Sequence, residues 1–328
     1  MRAWRTYPSG EPEAAMRLED IPAPEPNQGE LRVRVLAAGL GLPDYMMCKD
    51  QYPGTPGLRP FTSGQEVVGI VSKQGPGTST PIGARVMGMT DFWSGRGSLA
   101  EECIVSEDEV NVAPPSISDA DAASFRIAYH TAWLGVVRNG RAKVGETLLV
   151  LGASGGTGAA AVQLGKAVGM RVIAVASPGE KAKYCREIGA DEVIDRTTQN
   201  VPQTVLALTN NVGADIIYDP VGGELGDESI QGIALEGRFI FVGFAAGRWA
   251  HFEAWQTMLK NCSLVGAYAG RSFPGSVHAE IHNELMKLYS AGKIRSMTSN
   301  VVRFEDVPKA LAALPSGSQI GRTVVTMG

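Results

Sequence analysis

The stretch 147–158 reads TLLVLGASGGTG, an apolar run that passes into a turn with four glycines, a serine and a threonine. The next residues, 159–169 (AAAVQLGKAVG), are rich in alanine and end at a glycine, which is typical of a helix. A strand, a glycine-rich turn and a helix in this order begin a βαβ unit. The fold therefore depends on whether the rest of the chain continues this alternation.

The alternation continues from about residue 118 to residue 270. Strand-like segments such as RVIAVAS (171–177) and GRFIFVG (237–243) are rich in Val, Ile and Phe, and helical segments separate them. This pattern predicts an α/β fold with a doubly wound parallel sheet. The residues before 118 form short strands and turns, which predict a mostly β domain, and 271–328 carry two helices and a strand outside the rhythm.

The turn carries the spacing of a dinucleotide fingerprint, Ala153-x-Gly155-x-x-Gly158, with alanine where the first glycine usually stands. Glycines let the backbone approach a pyrophosphate, and the helix that follows offers free N–H groups and the positive end of its dipole. A purely structural turn could also use glycines, but the strand before it and the helix after it favour a bound dinucleotide. The predicted contacts are Ala153, Ser154, Gly155, Gly156, Thr157 and Gly158.

The end of the second strand predicts which dinucleotide binds. NAD sites usually place Asp or Glu there, about 20 residues after the turn, to bind the ribose 2′-hydroxyl. Here Ala176 and Ser177 occupy this place. A neutral strand end tolerates a 2′-phosphate, and Ser177, Lys181 and Arg196 are candidate donors to it. We therefore expect NADPH rather than NADH. The alternative to a phosphate contact for Lys181 is a position on a solvated helix face, which most lysines occupy.

The composition of the 328-residue chain restricts the class of protein. A formal net charge of −4 argues against a nucleic-acid partner, because phosphate binding needs a basic face. No run approaches about eighteen apolar residues, so no membrane span is expected, and the start MRAWRTYPSGEPEAAM lacks an apolar signal core, which predicts a cytoplasmic protein. Cys48, Cys103, Cys185 and Cys262 form no CxxC pair, so no thiolate zinc cluster is indicated.

The segment LLVLGASGGTGAAAVQLGKAVG (148–169) closely resembles the zinc-independent quinone oxidoreductase branch of the medium-chain dehydrogenase/reductase superfamily. Further segments match this branch in order and spacing over nearly the whole chain: LAAGLGLPDYM (36–46), PFTSGQEVVGIV (60–71), GSLAEE (97–102), AYHTAW (128–133), YDPVGG (218–223), VGFAAG (242–247) and LKNCSLVGAYAG (259–270). The resemblance implies a GroES-like β domain formed by 1–121 and 271–328, a Rossmann domain at 122–270, and a homodimer.

The resemblance also bears on a catalytic metal. In zinc-dependent relatives the positions that match Gly41, Gln65 and approximately Ile127 hold zinc ligands, and here none of the three is a thiolate, imidazole or carboxylate. We therefore expect no metal. Quinone oxidoreductases usually carry Asn at the Gly41 position in an NxxD motif, of which only Asp44 remains, and Pro43 stiffens this loop.

The implied activity is hydride transfer from NADPH to a quinone or an α,β-unsaturated carbonyl, because without a metal an alcohol is not easily activated. Tyr45 and Tyr52 lie in the loop that lines the pocket of relatives, and they are candidate proton donors or pocket residues, with water as the alternative donor. Further candidate cofactor contacts are Thr131 near the nicotinamide, Gly243, Phe244, Ala245 and Tyr268 after strand ends, and Arg322, which is either a phosphate contact or a surface charge.

Two alternatives stay open at this point. An enoyl-thioester reductase, acting on an enoyl-CoA or a carrier-bound substrate, shares the fold and lacks zinc. An NADPH-binding protein with little catalysis, such as a crystallin-like or RNA-binding relative, is the alternative of another class. His278 and His282 stand four residues apart on a predicted helix, and we expect them on a solvated face rather than at a metal.

Overall fold

The computed structural model describes residues 1–7, 9–270 and 274–327. Its strands are β1 Arg2–Thr6, β2 Met16–Asp20, β3 Glu30–Leu40, β4 Glu66–Gln74, β5 Arg85–Met89, β6 Glu102–Ser106, β7 Val110–Val112, β8 Thr147–Val150, β9 Arg171–Ala176, β10 Glu192–Asp195, β11 Ala214–Asp219, β12 Ile233–Phe241, β13 Ser263–Gly266, β14 Thr298–Arg303 and β15 Arg322–Thr326. Its α-helices are α1 Pro12–Ala15, α2 Leu42–Cys48, α3 Asp119–Ala123, α4 Arg126–Ala132, α5 Gly156–Ala167, α6 Glu180–Glu187, α7 Val201–Leu208, α8 Gly223–Ser229, α9 Ala254–Lys260, α10 Gly275–Ser290 and α11 Val307–Ala313. None of the helices in these three ranges is long and apolar enough to cross a membrane.

The chain forms two compact units. The first unit combines Met1–Ile127, Phe273–His282 and Ser296–Gly328, and the second combines Ala128–Ser272 and Asn283–Arg295. The domain limits that the resemblance implies, at residues 121 and 271, remain a proposal, and residue 271 itself lies outside the described residues.

The second unit is built on a parallel sheet whose strands, within the described residues, follow the order β10-β9-β8-β11-β12-β13. Every residue of β8 is buried, as expected for a strand whose sheet is covered on both faces. Strand β8 pairs with β9 on one side and with β11 on the other, so the strand order reverses at β8. Open α/β sheets bind ligands beyond the carboxyl ends of the strands at such a reversal. The predicted α/β fold class is confirmed.

Residues 118–139 begin with Ser and acidic residues and continue with apolar residues at helical spacing, which predicts one helix, and this prediction is only partly correct. Helix α3 ends at Ala123, α4 begins at Arg126, and Trp133–Asn139 is π-helical. A Cβ at Gly135 would lie 2.8 Å from Cε2 of Tyr218, so the π-helical segment packs closely on β11. The apolar periodicity of the sequence does not contain this tertiary contact, and it therefore predicts one regular helix.

The first unit is built on a mostly antiparallel sheet. In the part of the chain that the structure describes, its order is β14-β15-β3-β4-β5-β7, and β6 also pairs with β3. The sequence LRVRVLAAG (31–39) alternates charged and apolar residues, which predicts a half-buried strand, and Leu31, Val33 and Val35 of β3 are buried accordingly. Strand β15 pairs antiparallel with β3 and parallel with β14. Strand β14 was not predicted, because most of its residues are exposed and it carries no apolar alternation.

The prediction that His278 and His282 lie on a solvated face of their helix is wrong, because the two residues, on α10, are only 1% and 3% exposed. Nε2 of His278 lies 3.4 Å from Oε1 of Glu109, and the ring of His282 packs edge-on against Phe125. Burial, followed by the charge of Arg126, lowers the pKa of both histidines to about 4. The i, i+4 spacing therefore marks the buried face of this helix.

Candidate functional site

The glycine-rich turn joins β8 to α5 in the second unit. A Cβ at Gly158 would overlap the carbonyl oxygen of Gly152, so glycine at this position lets the helix approach the turn. A Cβ at Gly155 would meet only this same oxygen, at 3.5 Å, which is an ordinary contact. The packing of the chain therefore does not require glycine at 155. Open space therefore remains next to Gly155. The N–H groups in the first turn of α5 have no intrahelical partners and lie beside this space, which fits a pyrophosphate.

The end of β9 combines neutral residues with two cations. The N–H of Arg196 donates to the carbonyl oxygen of Ala176 at 3.2 Å. Lys181 lies on α6, which follows β9, and burial, and then the charge of Arg196, lowers its pKa. The nearby carboxylate of Asp195 accepts hydrogen bonds from the two threonines that follow it in its own turn. Ala176, Ser177, Lys181 and Arg196 thus meet at one strand end, and this arrangement fits a 2′-phosphate.

Asp219 organises the loops at the carboxyl ends of β11 and β12. Its Oδ1 accepts the N–H groups of Val221 and Gly222, both at 2.8 Å. Its carbonyl oxygen accepts the N–H of Gly243 at 3.2 Å. Burial raises the pKa of Asp219 to about 6, against the effect of the two N–H groups. Asp219 is not among the predicted site residues, but it positions the predicted loop 243–245.

The remaining predicted residues of the second unit lie on α4 and after strand ends. Thr131 is on α4 and is 7% exposed. The ring of Phe244 packs 4.8 Å from that of Trp249, and Tyr268 follows β13 and is 47% exposed. Because the carboxyl ends of parallel strands share one edge of the sheet, the turn and these loops lie along the same edge. The contacts of these residues with a cofactor remain predictions.

In the first unit, two buried carboxylates tie together the three positions that match zinc ligands. Asp44 accepts the N–H of Gly41 and the N–H of the residue before Gln65, both at 2.9 Å. Glu66, directly after Gln65, accepts the N–H of Ile127 at 3.0 Å. Burial raises the pKa of Asp44 to about 6, although both N–H groups favour its charged form. Asp44 and Glu66 therefore hold the segments that contain Gly41, Gln65 and Ile127 by accepting hydrogen bonds from backbone N–H groups, and not by sharing a metal ion with them.

Arg322 is an internal counter-ion, and the surface-charge alternative for it is wrong. Its Nη2 lies 2.5 Å from Oε2 of Glu66, and the two side chains are 9% and 0% exposed. Burial raises the pKa of Glu66, and the charge of Arg322 is the largest opposing influence. A Cβ at Gly39 would lie 2.8 Å from the same Nη2, so glycine makes room for the guanidinium. The predicted contact of Arg322 with a cofactor phosphate remains a prediction.

The two predicted pocket tyrosines have different surroundings. The hydroxyl of Tyr45 donates to Oε2 of Glu11 at 3.3 Å. The ring of Tyr52 stacks against Trp93, with 6.5 Å between the centroids and 29° between the planes. Both tyrosines are half-buried. A role of either hydroxyl in proton transfer remains a prediction.

Known proteins match almost the whole chain. Residues 27–115 match the model of the alcohol dehydrogenase GroES-like domain, and residues 156–290 match the model of zinc-binding dehydrogenase. Quinone oxidoreductase-like protein 2 of the rat (Rattus norvegicus) is 32% identical over 310 residues, which cover 93% of this chain and 87% of the rat protein. The chain belongs to the quinone oxidoreductase branch of the medium-chain dehydrogenase/reductase superfamily. The predicted family, with its GroES-like and Rossmann-type domains, is thus confirmed.

Two further proteins bear on the chemistry. Prostaglandin reductase-3 of the mouse (Mus musculus) is 28% identical over 333 residues, which cover 96% of this chain and 86% of the mouse protein. A solved mycobacterial structure in complex with NADPH shares 26% identity with this member of the branch, has a TM-score of 0.91 and covers 99% of both chains. Both are similar to this chain along nearly its full length.

Several residues that shape the site escape prediction from sequence patterns. Glu66 and Asp219 each give one signal, a carboxylate at one end of a strand and next to buried apolar residues of that strand. Arg126 is fully buried with Nη2 at 2.9 Å from Glu109, and Trp93 stacks on a distant loop, so neither leaves a local signal. In the residues that the structure describes, no three His, Cys, Asp or Glu side chains are grouped so as to hold a metal ion.

Proposed function

We propose that this chain is an NADPH-dependent oxidoreductase that reduces a quinone or an α,β-unsaturated carbonyl. The observation that carries the proposal is the neutral strand end at Ala176 and Ser177, where the N–H of Arg196 donates to Ala176 and Lys181 lies on the helix that follows. The NADPH complex of the mycobacterial neighbour supports the cofactor, and the names of the rat and mouse relatives support a reductase. NADPH supplies a hydride, and the substrate takes this hydride and one proton to give NADP⁺ and a hydroquinone or a saturated carbonyl.

We propose that the reaction needs no metal. Gly41 has no side chain, Ile127 has an apolar one, and Gln65 is a neutral amide, so the three matched positions do not form a zinc ligand set. The neighbouring carboxylates of Asp44 and Glu66 are buried and already accept backbone N–H groups. Without a Lewis acid to polarise an alcohol, addition of hydride to a conjugated, electron-poor carbon is the easier reaction.

The residues of this chain bind and orient the reactants. The turn 153–158 holds the pyrophosphate, and the cations at the end of β9 hold the 2′-phosphate. The hydroxyl of Tyr45 is hydrogen-bonded to Glu11, so Tyr52 and water are the better candidates for the proton donor. We propose water as the donor, because an enolate next to solvent needs no dedicated acid.

The experiment is NADPH oxidation, followed by absorbance, with a quinone, an enone and an enoyl thioester, each with and without a chelator. We expect turnover with the quinone or the enone, unchanged by the chelator, and a higher kcat/KM with NADPH than with NADH. Loss of activity on chelation would contradict the metal-free reaction. Turnover of the enoyl thioester alone would favour the enoyl-thioester reductase.

We further propose that the chain forms a homodimer through β13. Within the described residues β13 is an edge of the parallel sheet, and its Leu264 is 45% exposed. On the neighbouring helix α9, Trp255, Met258 and Leu259 are 57%, 67% and 64% exposed. An unpaired strand edge beside a group of exposed apolar side chains is a typical interface between copies of a chain.

A further inference from the structure

Three loops lie next to one another in the second unit, where the neighbouring strands β8, β11 and β12 end. They are the glycine-rich turn after β8, the loop 220–222 after β11 and the loop 242–248 after β12. Asp219 is the last residue of β11 and is fully buried. Because β11 lies between β8 and β12, a residue at its carboxyl end can hold the loops on both sides.

The carboxylate of Asp219 fixes the loop after β11 and, through it, the loop after β12. Its Oδ1 accepts the N–H groups of Val221 and Gly222, both at 2.8 Å. The carbonyl oxygen of Val221 accepts the N–H of Ala246 at 2.8 Å. Val221 thus binds Asp219 through its N–H and the loop after β12 through its carbonyl oxygen. The positions of these two loops therefore depend on one carboxylate.

The loop after β11 also touches the glycine-rich turn. A Cβ at Gly152 would lie 2.8 Å from Cγ2 of Val221, so the backbone of the turn passes directly beside this side chain. Asp219 therefore joins the turn that is predicted to bind the pyrophosphate to the loop that carries the predicted cofactor contacts 243–245.

The strand order places the two halves of the cofactor on opposite sides of β8. The neutral strand end at Ala176 and Ser177, where the 2′-phosphate is predicted, belongs to β9 on one side of β8. The pyrophosphate is predicted at the end of β8 itself. The nicotinamide half follows the pyrophosphate, so it extends toward β11 and β12 on the other side. The loops that Asp219 holds are on this side.

We propose that Asp219 is a positioning residue for the nicotinamide half of NADPH. This inference rests on the proposed function, because it concerns the cofactor of the same site. Asp219 acts through the two loops, whose arrangement its hydrogen bonds fix before the cofactor binds. Loops that are ordered in advance lose less conformational entropy on binding, which raises the affinity. The adenosine half, on the side of β9, does not depend on these loops.

The test compares the binding of NADPH with that of adenosine 2′,5′-bisphosphate, which carries the 2′-phosphate but no nicotinamide. Asp219→Ala removes the acceptor of two N–H groups. We expect it to weaken NADPH binding about 10-fold in fluorescence titrations and to change bisphosphate binding, measured by calorimetry, by less than about 2-fold. Asp219→Asn keeps one acceptor oxygen, and among the described residues Oδ2 has no partner to lose. We expect Asp219→Asn to bind both ligands like wild type.

Asp215→Ala is the matched control. Asp215 lies near the opposite end of β11, and its Oδ2 accepts the N–H of Thr147 at 2.8 Å. The variant therefore removes a similar carboxylate–backbone bond from the same strand, far along it from the three loops. We expect both dissociation constants to stay at their wild-type values.

Hydrogen exchange in the cofactor-free chain gives a readout that does not depend on ligand binding. We expect Asp219→Ala to speed the exchange of amides in 221–223 and 242–246, and Asp215→Ala to leave them unchanged. Wild-type exchange at these amides in Asp219→Ala overturns the inference.

The binding outcomes separate this inference from the proposed function. Equal losses for NADPH and the bisphosphate in Asp219→Ala, or no loss for NADPH, overturn the inference and leave the proposed function standing. A loss for NADPH in Asp219→Asn as large as in Asp219→Ala also overturns it. A wild-type chain that does not bind NADPH overturns both. If Asp219→Ala does not fold, Gly226→Ala decides, because its Cβ would lie 2.7 Å from Oδ2 of Asp219 and displace the carboxylate; unchanged NADPH binding then overturns the inference.

Discussion

The buried carboxylate of Asp219 makes a contribution to stability that is lost as the pH rises from about 4 to about 6. The pKa of Asp219 is about 6 in the folded chain, and an unfolded aspartate titrates near about 4. Between these values Asp219 binds more protons in the folded chain than in the unfolded chain, so its contribution to the free energy of unfolding decreases with rising pH. Burial is the cause, because in the described residues Oδ2 of Asp219 has no hydrogen-bond partner.

The substitution Asp219→Asn removes the charge and keeps an acceptor oxygen for the N–H groups of Val221 and Gly222. A pKa difference of about two units corresponds to about 3 kcal/mol once the pH is above both values. We therefore expect the variant to match the wild-type chain near pH 4 and to exceed its free energy of unfolding by up to about 3 kcal/mol at pH 7.

The assay is urea unfolding, followed by circular dichroism, at several pH values from 4 to 7. Asp44 provides the matched control, since its pKa is also about 6 but both of its oxygens accept backbone N–H groups. Asp44→Asn removes a similar titration but aims an amide N–H at one of these donors, so its gain in stability over wild type at pH 7 is smaller than that of Asp219→Asn. A difference between Asp219→Asn and wild type that does not change with pH would refute the reasoning.

Three further predictions concern the ion pair, the cofactor and the assembly. Glu66→Gln leaves Arg322 without its buried counter-ion and lowers the free energy of unfolding by about 3 to 5 kcal/mol, while Glu66→Leu with Arg322→Met costs much less; a double variant as unstable as the sum of the single variants contradicts this. Lys181→Glu weakens NADPH binding roughly 10-fold, measured by fluorescence titration, and leaves NADH binding nearly unchanged; equal losses for both cofactors contradict the role of Lys181. Leu264→Asp converts the proposed dimer to monomers in analytical ultracentrifugation, and a monomeric wild-type chain would show that β13 is not an interface.

The sequence predicts those parts of the fold whose signals are local. The strand, turn and helix around 147–167, and the neutral end of β9, are written in consecutive residues, and the structure agrees with them. The long helix over 118–139 is mispredicted because close packing of Gly135 on Tyr218 accompanies a π-helical segment. The exposed strand β14 leaves no apolar pattern to read.

The candidate site is predicted less completely than the fold, because many of its parts come from distant segments. The i, i+4 spacing of His278 and His282 shows that they share one face of a helix, but it does not show whether this face is solvated or buried. The packing of α10 near Glu109 and Phe125 buries it. Trp93 gains its position from Gly54, in another loop.

The sequence by itself determined the dinucleotide fingerprint, the neutral residues that admit a 2′-phosphate, and the residue types at 41, 65 and 127, none of which is a usual zinc ligand. These features depend on residue type and short spacing, which are unchanged by folding. Only the tertiary structure decided that Arg322 neutralises Glu66, a residue 256 positions away in the chain. A buried charge must find its partner in space, and that partner is set by the strand order of the sheet, which brings β15 and β4 to either side of β3.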